Sequence, residues 1–148
     1  MNEGQHIKIL LVEDNPGDVR LTKEALRDAK VGNDLYVAQD GVRAMDFLYQ
    51  RGDFADAPRP DLVLLDLDLP EKDGRQVLRD IKSDEALKDI PVIVFTSSHS
   101  EEDILGAYAS NVNCYITKPV EFDEFMDVVR AIEDFWLTVV QLPRHWSG

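Results

Sequence analysis

A chain of 148 residues with 44% hydrophobic content can bury one core but is too short for two full domains. Its formal charge of −13 argues against a broad basic surface for nucleic-acid phosphates. Apolar runs such as Leu62 to Leu65 fall far short of the roughly 20 residues of a membrane-spanning helix. The polar start, Met1 to His6, has no apolar stretch of the secretory-signal kind, so a cytoplasmic address is expected.

The first strand is expected at Ile7 to Val12, followed by a helix in which Leu21, Ala25, Leu26 and Ala29 recur at helical spacing. Leu35 to Ala38 reads as a second strand. Asp40-Gly41 opens a helix with apolar Val42, Met45, Leu48 and Tyr49, ending at Gly52. Residues 53 to 60, with Pro58 and Pro60, read as a loop into a third strand, Asp61 to Asp66, apolar enough to be buried on both faces. A loop through Pro70 and Gly74 leads to a helix with Val77, Leu78 and Ile81 inward. Pro91 then opens the strand Val92 to Phe95. Ile104, Leu105 and Tyr108 mark the next helix, Cys114 to Thr117 a fifth strand, and Phe122, Phe125, Val129, Ile132 and Trp136 one side of a last helix. Five strands alternating with five helices specify an α/β fold, a doubly wound parallel sheet with helices on both faces. In such folds ligands bind at the carboxyl ends of the strands.

Every chemically interesting residue falls at that edge: Glu13 and Asp14 after the first strand, Asp66 at the end of the third, Thr96 after the fourth, Lys118 after the fifth. Three converging carboxylates need nearby cations, and Mg²⁺ together with Lys118 brings the formal charge to zero. Asp14 and Asp66 are the direct ligand candidates; Glu13 reaches the ion directly or through water. An aspartate can attack phosphorus, and phosphoryl transfer then needs alignment and neutralisation, for which Thr96 and Lys118 are available. Asp84, Glu85, Glu101, Glu102, Asp103, Glu133 and Asp134 read as solvated surface. The lone Cys114 reads as a small buried apolar residue, and His6, His99 and His145 as surface. The excess of Asp and scarcity of Lys would also suit a high-salt cytoplasm.

Ile9-Leu10-Leu11-Val12-Glu13-Asp14-Asn15, Leu64-Leu65-Asp66-Leu67-Asp68-Leu69-Pro70, Thr96-Ser97 and Thr117-Lys118-Pro119 resemble the signature segments of two-component receiver domains, over roughly residues 6 to 133. The resemblance implies a flavodoxin-like sheet of order 2-1-3-4-5. It also implies an acid pair at Glu13 and Asp14, a phosphoacceptor at Asp66, a switch hydroxyl at Thr96 and a phosphate-contacting lysine at Lys118. A backbone carbonyl from Asp68 to the metal, a switch aromatic at Tyr115 and a cis Lys118-Pro119 bond belong to the same pattern. Mg²⁺, a donor sensor histidine kinase and a downstream protein or phosphotransfer partner are implied with it. The face formed by the fourth helix, fifth strand and fifth helix is expected to change its partner preference on phosphorylation. Asp68 and Ser98 would flank the path of attacking water.

Residues 1 to 5 and 134 to 148 read as extensions. Too few residues follow the last helix for an effector module, which leaves protein contact or phosphorelay as the output. The apolar tail from Phe135 to Pro143 resembles the end of small receivers paired with cyanobacterial phytochrome kinases. It suits packing on its own domain and a homodimer interface about equally. Asp66-Leu67-Asp68 also resembles the motif of haloacid-dehalogenase phosphatases, against which stand Pro70, the third-strand position and the lack of late paired acids. A degenerate receiver serving as a constitutive binding module is disfavoured by the intact site residues.

Overall fold

The computed structural model describes residues 7–27 and 32–135. Elements alternate as β1 (Ile7–Val12), α1 (Pro16–Arg27), β2 (Asn33–Ala38), α2 (Gly41–Tyr49), β3 (Leu62–Leu65), α3 (Gly74–Ser83), β4 (Val92–Thr96), α4 (Glu101–Ala109), β5 (Cys114–Thr117) and α5 (Phe122–Phe135). The strands form one parallel sheet in the order β2-β1-β3-β4-β5. This is the flavodoxin-like order expected for a receiver.

Alternation along the central strands divides the interior in two. Leu10, Val12, Val63, Leu65, Val92 and Val94 point to one face, where Ala44, Met45, Phe47, Leu48, Val77, Leu78, Ile81 and Ala107 of α2, α3 and α4 cover them. Ile9, Leu11, Leu62, Leu64, Ile93 and Phe95 point to the other, beneath Ala25 and Leu26 of α1 and Phe125, Met126, Val129 and Ile132 of α5. All four residues of β3 are buried, as a strand covered on both faces requires.

Local chemistry sets the helix starts. Asn15 accepts a bond from the Asp18 amide, and Pro16 occupies the first helical position, where its missing N–H costs nothing. Asp40 caps α2 through the Arg43 amide, and Ser100 caps α4 through the Asp103 amide. Gly74 opens α3 because a Cβ there would lie 2.1 Å from the Asp66 carbonyl oxygen and 2.6 Å from Leu67 Cα. The helix is thereby pressed against the loop after β3.

Several expectations need correction. The strand expected at Leu35 starts at Asn33, and α2 ends at Tyr49 with Gln50 in the left-handed region rather than running to Gly52. The loop of residues 53 to 60 shares a 3-10 turn, Gly52–Phe54. Lys118-Pro119 is trans, the form that an X-Pro bond takes unless tertiary contacts overcome a preference of about 0.5–1 kcal/mol. Cys114 is half-buried, since β5 is an edge strand covered incompletely. Val42, Tyr49, Leu105, Tyr108 and Phe122 are exposed. Ala29, Trp136, His6, His145 and the apolar tail beyond Phe135 lie outside the described residues.

Candidate phosphoryl and metal site

The parallel register explains how residues distant in sequence meet. Val12 is level with Leu65, Leu65 with Val94, and Thr96 with Thr117. One step beyond these pairs lie Glu13, Asp66 and Lys118, at the mouth between β1 and β3 where the strand order changes direction, the position at which doubly wound sheets bind ligands. Carboxylate oxygens from Glu13, Asp14 and Asp66 lie within 4.8 Å of one another, Glu13 and Asp66 buried and Asp14 exposed. The donor set is entirely hard oxygen with one side open to solvent, which fits a cation such as Mg²⁺ that retains part of its water shell.

Donors crowd the Asp66 carboxylate. The Thr96 hydroxyl donates to Oδ1 at 2.6 Å, the Asp68 amide to the same oxygen at 3.2 Å, and Lys118 Nζ to Oδ2 at 3.2 Å. Lys118 Nζ also donates to Glu13 at 2.5 Å and to Asp18 at 2.8 Å. With Lys118 and Glu13 side chains 5% and 3% exposed, the ammonium is a buried counter-charge. Removing one partner from such an arrangement typically costs about 3–5 kcal/mol, because it leaves uncompensated charge.

Burial acts first on both ends of this pair. It lifts the Glu13 carboxyl to about 7, only partly opposed by the hydrogen bond from Lys118. It also pulls Lys118 down, but the carboxylates of Asp18 and Glu13 outweigh it and hold the ammonium above its ordinary range.

Asp18, in the first turn of α1, was not singled out by the sequence reading, which placed three carboxylates here and a neutral total. Its position four residues after Asp14 was the available signal; that α1 turns its carboxylate onto Lys118 was not visible in the sequence. Asp103, expected to be solvated surface, is in fact gripped by Arg75, whose Nε and Nη2 donate to its two oxygens at 2.7 and 2.6 Å. That hold, followed by the Ser98 hydroxyl, keeps the Asp103 carboxyl well below the usual range. Arg75 was missed as well, since nothing in sequence spacing links it to residue 103. The Tyr115 ring is half-buried against the core of the α2-α3-α4 face, and its hydroxyl donates to the Ser98 carbonyl at 2.8 Å. Asp68 stands exposed at the rim.

Comparison with known proteins decides the family, for the response regulator receiver domain matches residues 9–130. The chain belongs to that family. Receiver domains are signalling proteins; phosphorylation on an aspartate and conformational switching are typical of them, and they bind Mg²⁺ or Mn²⁺ at an acidic pocket. Response regulator Rcp1 of Synechocystis sp. is 48% identical over 135 residues, covering 91% of this chain and 92% of Rcp1. The phosphorylated cyanobacterial phytochrome response regulator RcpA superposes with a TM-score of 0.88 at 51% identity, over 90% of this chain and 96% of its own. The Mn²⁺-bound form of Rcp1 gives 0.87 at 47% identity, over 90% and 96%. A receiver implies a histidine kinase or other phosphodonor and a downstream target. No helix among the described residues is long and apolar enough to cross a membrane.

Proposed function

We propose that Asp66 is the phosphoacceptor of this receiver and that Mg²⁺ is its cofactor, held by the side chains of Glu13, Asp14 and Asp66 with the backbone carbonyl of Asp68. The observation that carries this reading is the Asp66 carboxylate itself. It lies within 4.8 Å of two other acids, 2.6 Å from the Thr96 hydroxyl and 3.2 Å from the Lys118 ammonium. Bound there, the cation neutralises charge on the incoming phosphoryl oxygens. Asp66 supplies the nucleophilic oxygen, and the phosphoryl group leaves its donor for that oxygen. Lys118 then exchanges part of its contact with Asp66 for a phosphoryl oxygen, while the Thr96 hydroxyl follows the new acceptor and releases Oδ1. Asp18 and Glu13 keep the ammonium anchored during the exchange.

The protein in this reading is no turnover enzyme, although its site promotes both its own phosphorylation and its own dephosphorylation. Thr96 and Tyr115 are the switch pair. Movement of Thr96 toward the phosphoryl group draws on the loop after β4, whose Ser98 carbonyl accepts the Tyr115 hydroxyl bond. The face carrying exposed Leu105, Tyr108 and Phe122 is then the surface whose partner preference changes, toward a downstream protein, a phosphotransfer protein or a second copy of the chain. Residues 6 to 133 form the receiver in this reading, and the cytoplasm is its compartment. The donor is a sensor histidine kinase, and likeness to RcpA makes a phytochrome-type kinase the first to try.

Incubation with autophosphorylated kinases and Mg²⁺ tests the proposal. Label moves to the wild type and not to Asp66→Asn, and a partner captured on the α4-β5-α5 face discriminates the phosphorylated form. Equal partner affinity for the two proteins contradicts the switch, and transfer to Asp66→Asn contradicts the acceptor.

A further inference from the structure

Arg75 stands one residue inside α3 and joins three segments around the site. Its fork grips Asp103, in the first turn of α4, through two bonds. Nη1 donates to the Leu67 carbonyl at 3.2 Å and to Asp73 at 2.9 Å, and Nη2 reaches Asp68 at 3.3 Å. Asp103 in turn accepts the Ser98 hydroxyl at 2.5 Å. The polar ends of Asp68 and Ser98, each two residues beyond a group bonded directly within the site, are therefore both tied to one arginine-carboxylate pair. That pair is well made: the Asp103 side chain is 14% exposed and the geometry bidentate, the strong form of such contacts. Its Asp68 arm is longer and more exposed, so Asp68 is the member that Arg75 restrains rather than buries.

We propose that Arg75 is a positioning residue that prolongs the phosphorylated state by holding Asp68, and through Asp103 also Ser98, out of the path of attacking water. The inference rests on Asp66 being the acceptor. Loss of the phosphoryl group is a hydrolysis. A water oxygen bonds to phosphorus, the bond from phosphorus to the Asp66 oxygen breaks, and Asp66 regains its carboxylate. Inorganic phosphate departs, and the proton shed by the water passes to a base and on to solvent. A carboxylate at residue 68 that is free to swing over the acceptor can orient that water and take the proton. Paired to the Arg75 guanidinium, it is aimed elsewhere. Lysine at position 75 keeps the charge but loses the fork, so it can restrain Asp68 or Asp103 but not both with the same geometry.

The test uses the full chain, phosphorylated by a small-molecule phosphodonor with Mg²⁺ and then freed of donor, with loss of the phosphoryl group followed in time. Arg75→Gln is expected to lose it several-fold faster than wild type, Arg75→Lys at an intermediate rate, and Arg75→Gln combined with Asp68→Ala near the wild-type rate. Equal decay of Arg75→Gln and wild type overturns the inference. So does a double variant that decays as fast as Arg75→Gln, because the acceleration would then come from general loosening and not from the released carboxylate. Thermal melts establish that each variant folds. Should Arg75→Gln not fold, Arg75→Lys must still decay faster than wild type and slow again with Asp68→Ala, or the inference fails. If wild type takes no label on Asp66, it is the acceptor reading that fails, and this inference falls with it.

Discussion

Glu13 shows at the scale of one residue what it takes to build a cation site in advance. Burial pushes its carboxyl up to about 7 from an ordinary value of 4.5, despite the ammonium beside it. Between those values the folded apo protein holds a proton at Glu13 that the unfolded chain has released. This group's contribution to apo stability is therefore fully present below about pH 4.5 and is lost as pH rises through about 7. A divalent cation needs the deprotonated form and must expel that proton when it binds below the folded value. Calorimetric titration should show Mg²⁺ affinity rising with pH up to about 7 and levelling above it. An affinity flat across this range would mean that Glu13 is not coupled to the cation. The sequence reading reached Glu13, Asp14, Asp66, Thr96 and Lys118 because each sits at, or within two residues of, the carboxyl end of a strand, and parallel strands bring such positions together. It did not reach Asp18 or Arg75, whose contacts depend on how a helix is rotated against the sheet. That rotation depends on packing, here of Ala25 and Leu26 for α1 and of Val77 and Ile81 for α3.

At the scale of elements, legibility followed burial. The fully buried β3 and β4 stood out as apolar runs, and α3, with Val77, Leu78 and Ile81 inward, as a stripe. α4 was legible as a helix but not in its orientation. Among its residues only Ala107 is buried, while Leu105 and Tyr108 face solvent. An element that buries one small residue and is otherwise tied mainly by its N-cap at Ser100 and by the bonds of Arg75 and Ser98 to Asp103 has few contacts to break, which suits the movement proposed for this face. α3 is the opposite case, since its first residue abuts the acceptor loop. Gly74→Ala should destabilise the fold by about 1–3 kcal/mol, the usual cost of forcing an added group into filled space. Because the added Cβ would meet the Asp66 carbonyl and Leu67, the variant should also bind Mg²⁺ more weakly than wild type. Chemical denaturation with and without Mg²⁺ reads both effects. A Gly74→Ala protein as stable and as responsive to the cation as wild type would show that the loop can yield at no cost.

Over the whole molecule, two apolar layers clamp a five-stranded sheet and leave its carboxyl edge as the polar mouth. Three carboxylates, from Glu13, Asp18 and Asp66, share the Lys118 ammonium there, and Asp14 adds a fourth negative charge beside Glu13 and Asp66. The formal imbalance is one that a bound divalent cation reduces, and the phosphoryl group adds to it again. In the proposed reading, a fully packed frame beneath and a lightly held α4 beside the mouth let this local change of charge reach a surface. The fold order was legible because five alternating runs, right-handed crossovers and the receiver-like segments all pointed to it. The state of the Lys118-Pro119 bond and the half-buried edge at Cys114 depend on tertiary context and were not. The most direct measurement is peptide mapping after treatment with a small-molecule phosphodonor. One phosphoryl group per chain is expected, on the peptide containing Asp66, formed with Mg²⁺ and absent with chelator or in Asp66→Asn. Label on a different residue, or label on Asp66 that forms equally well without a divalent cation, would contradict it.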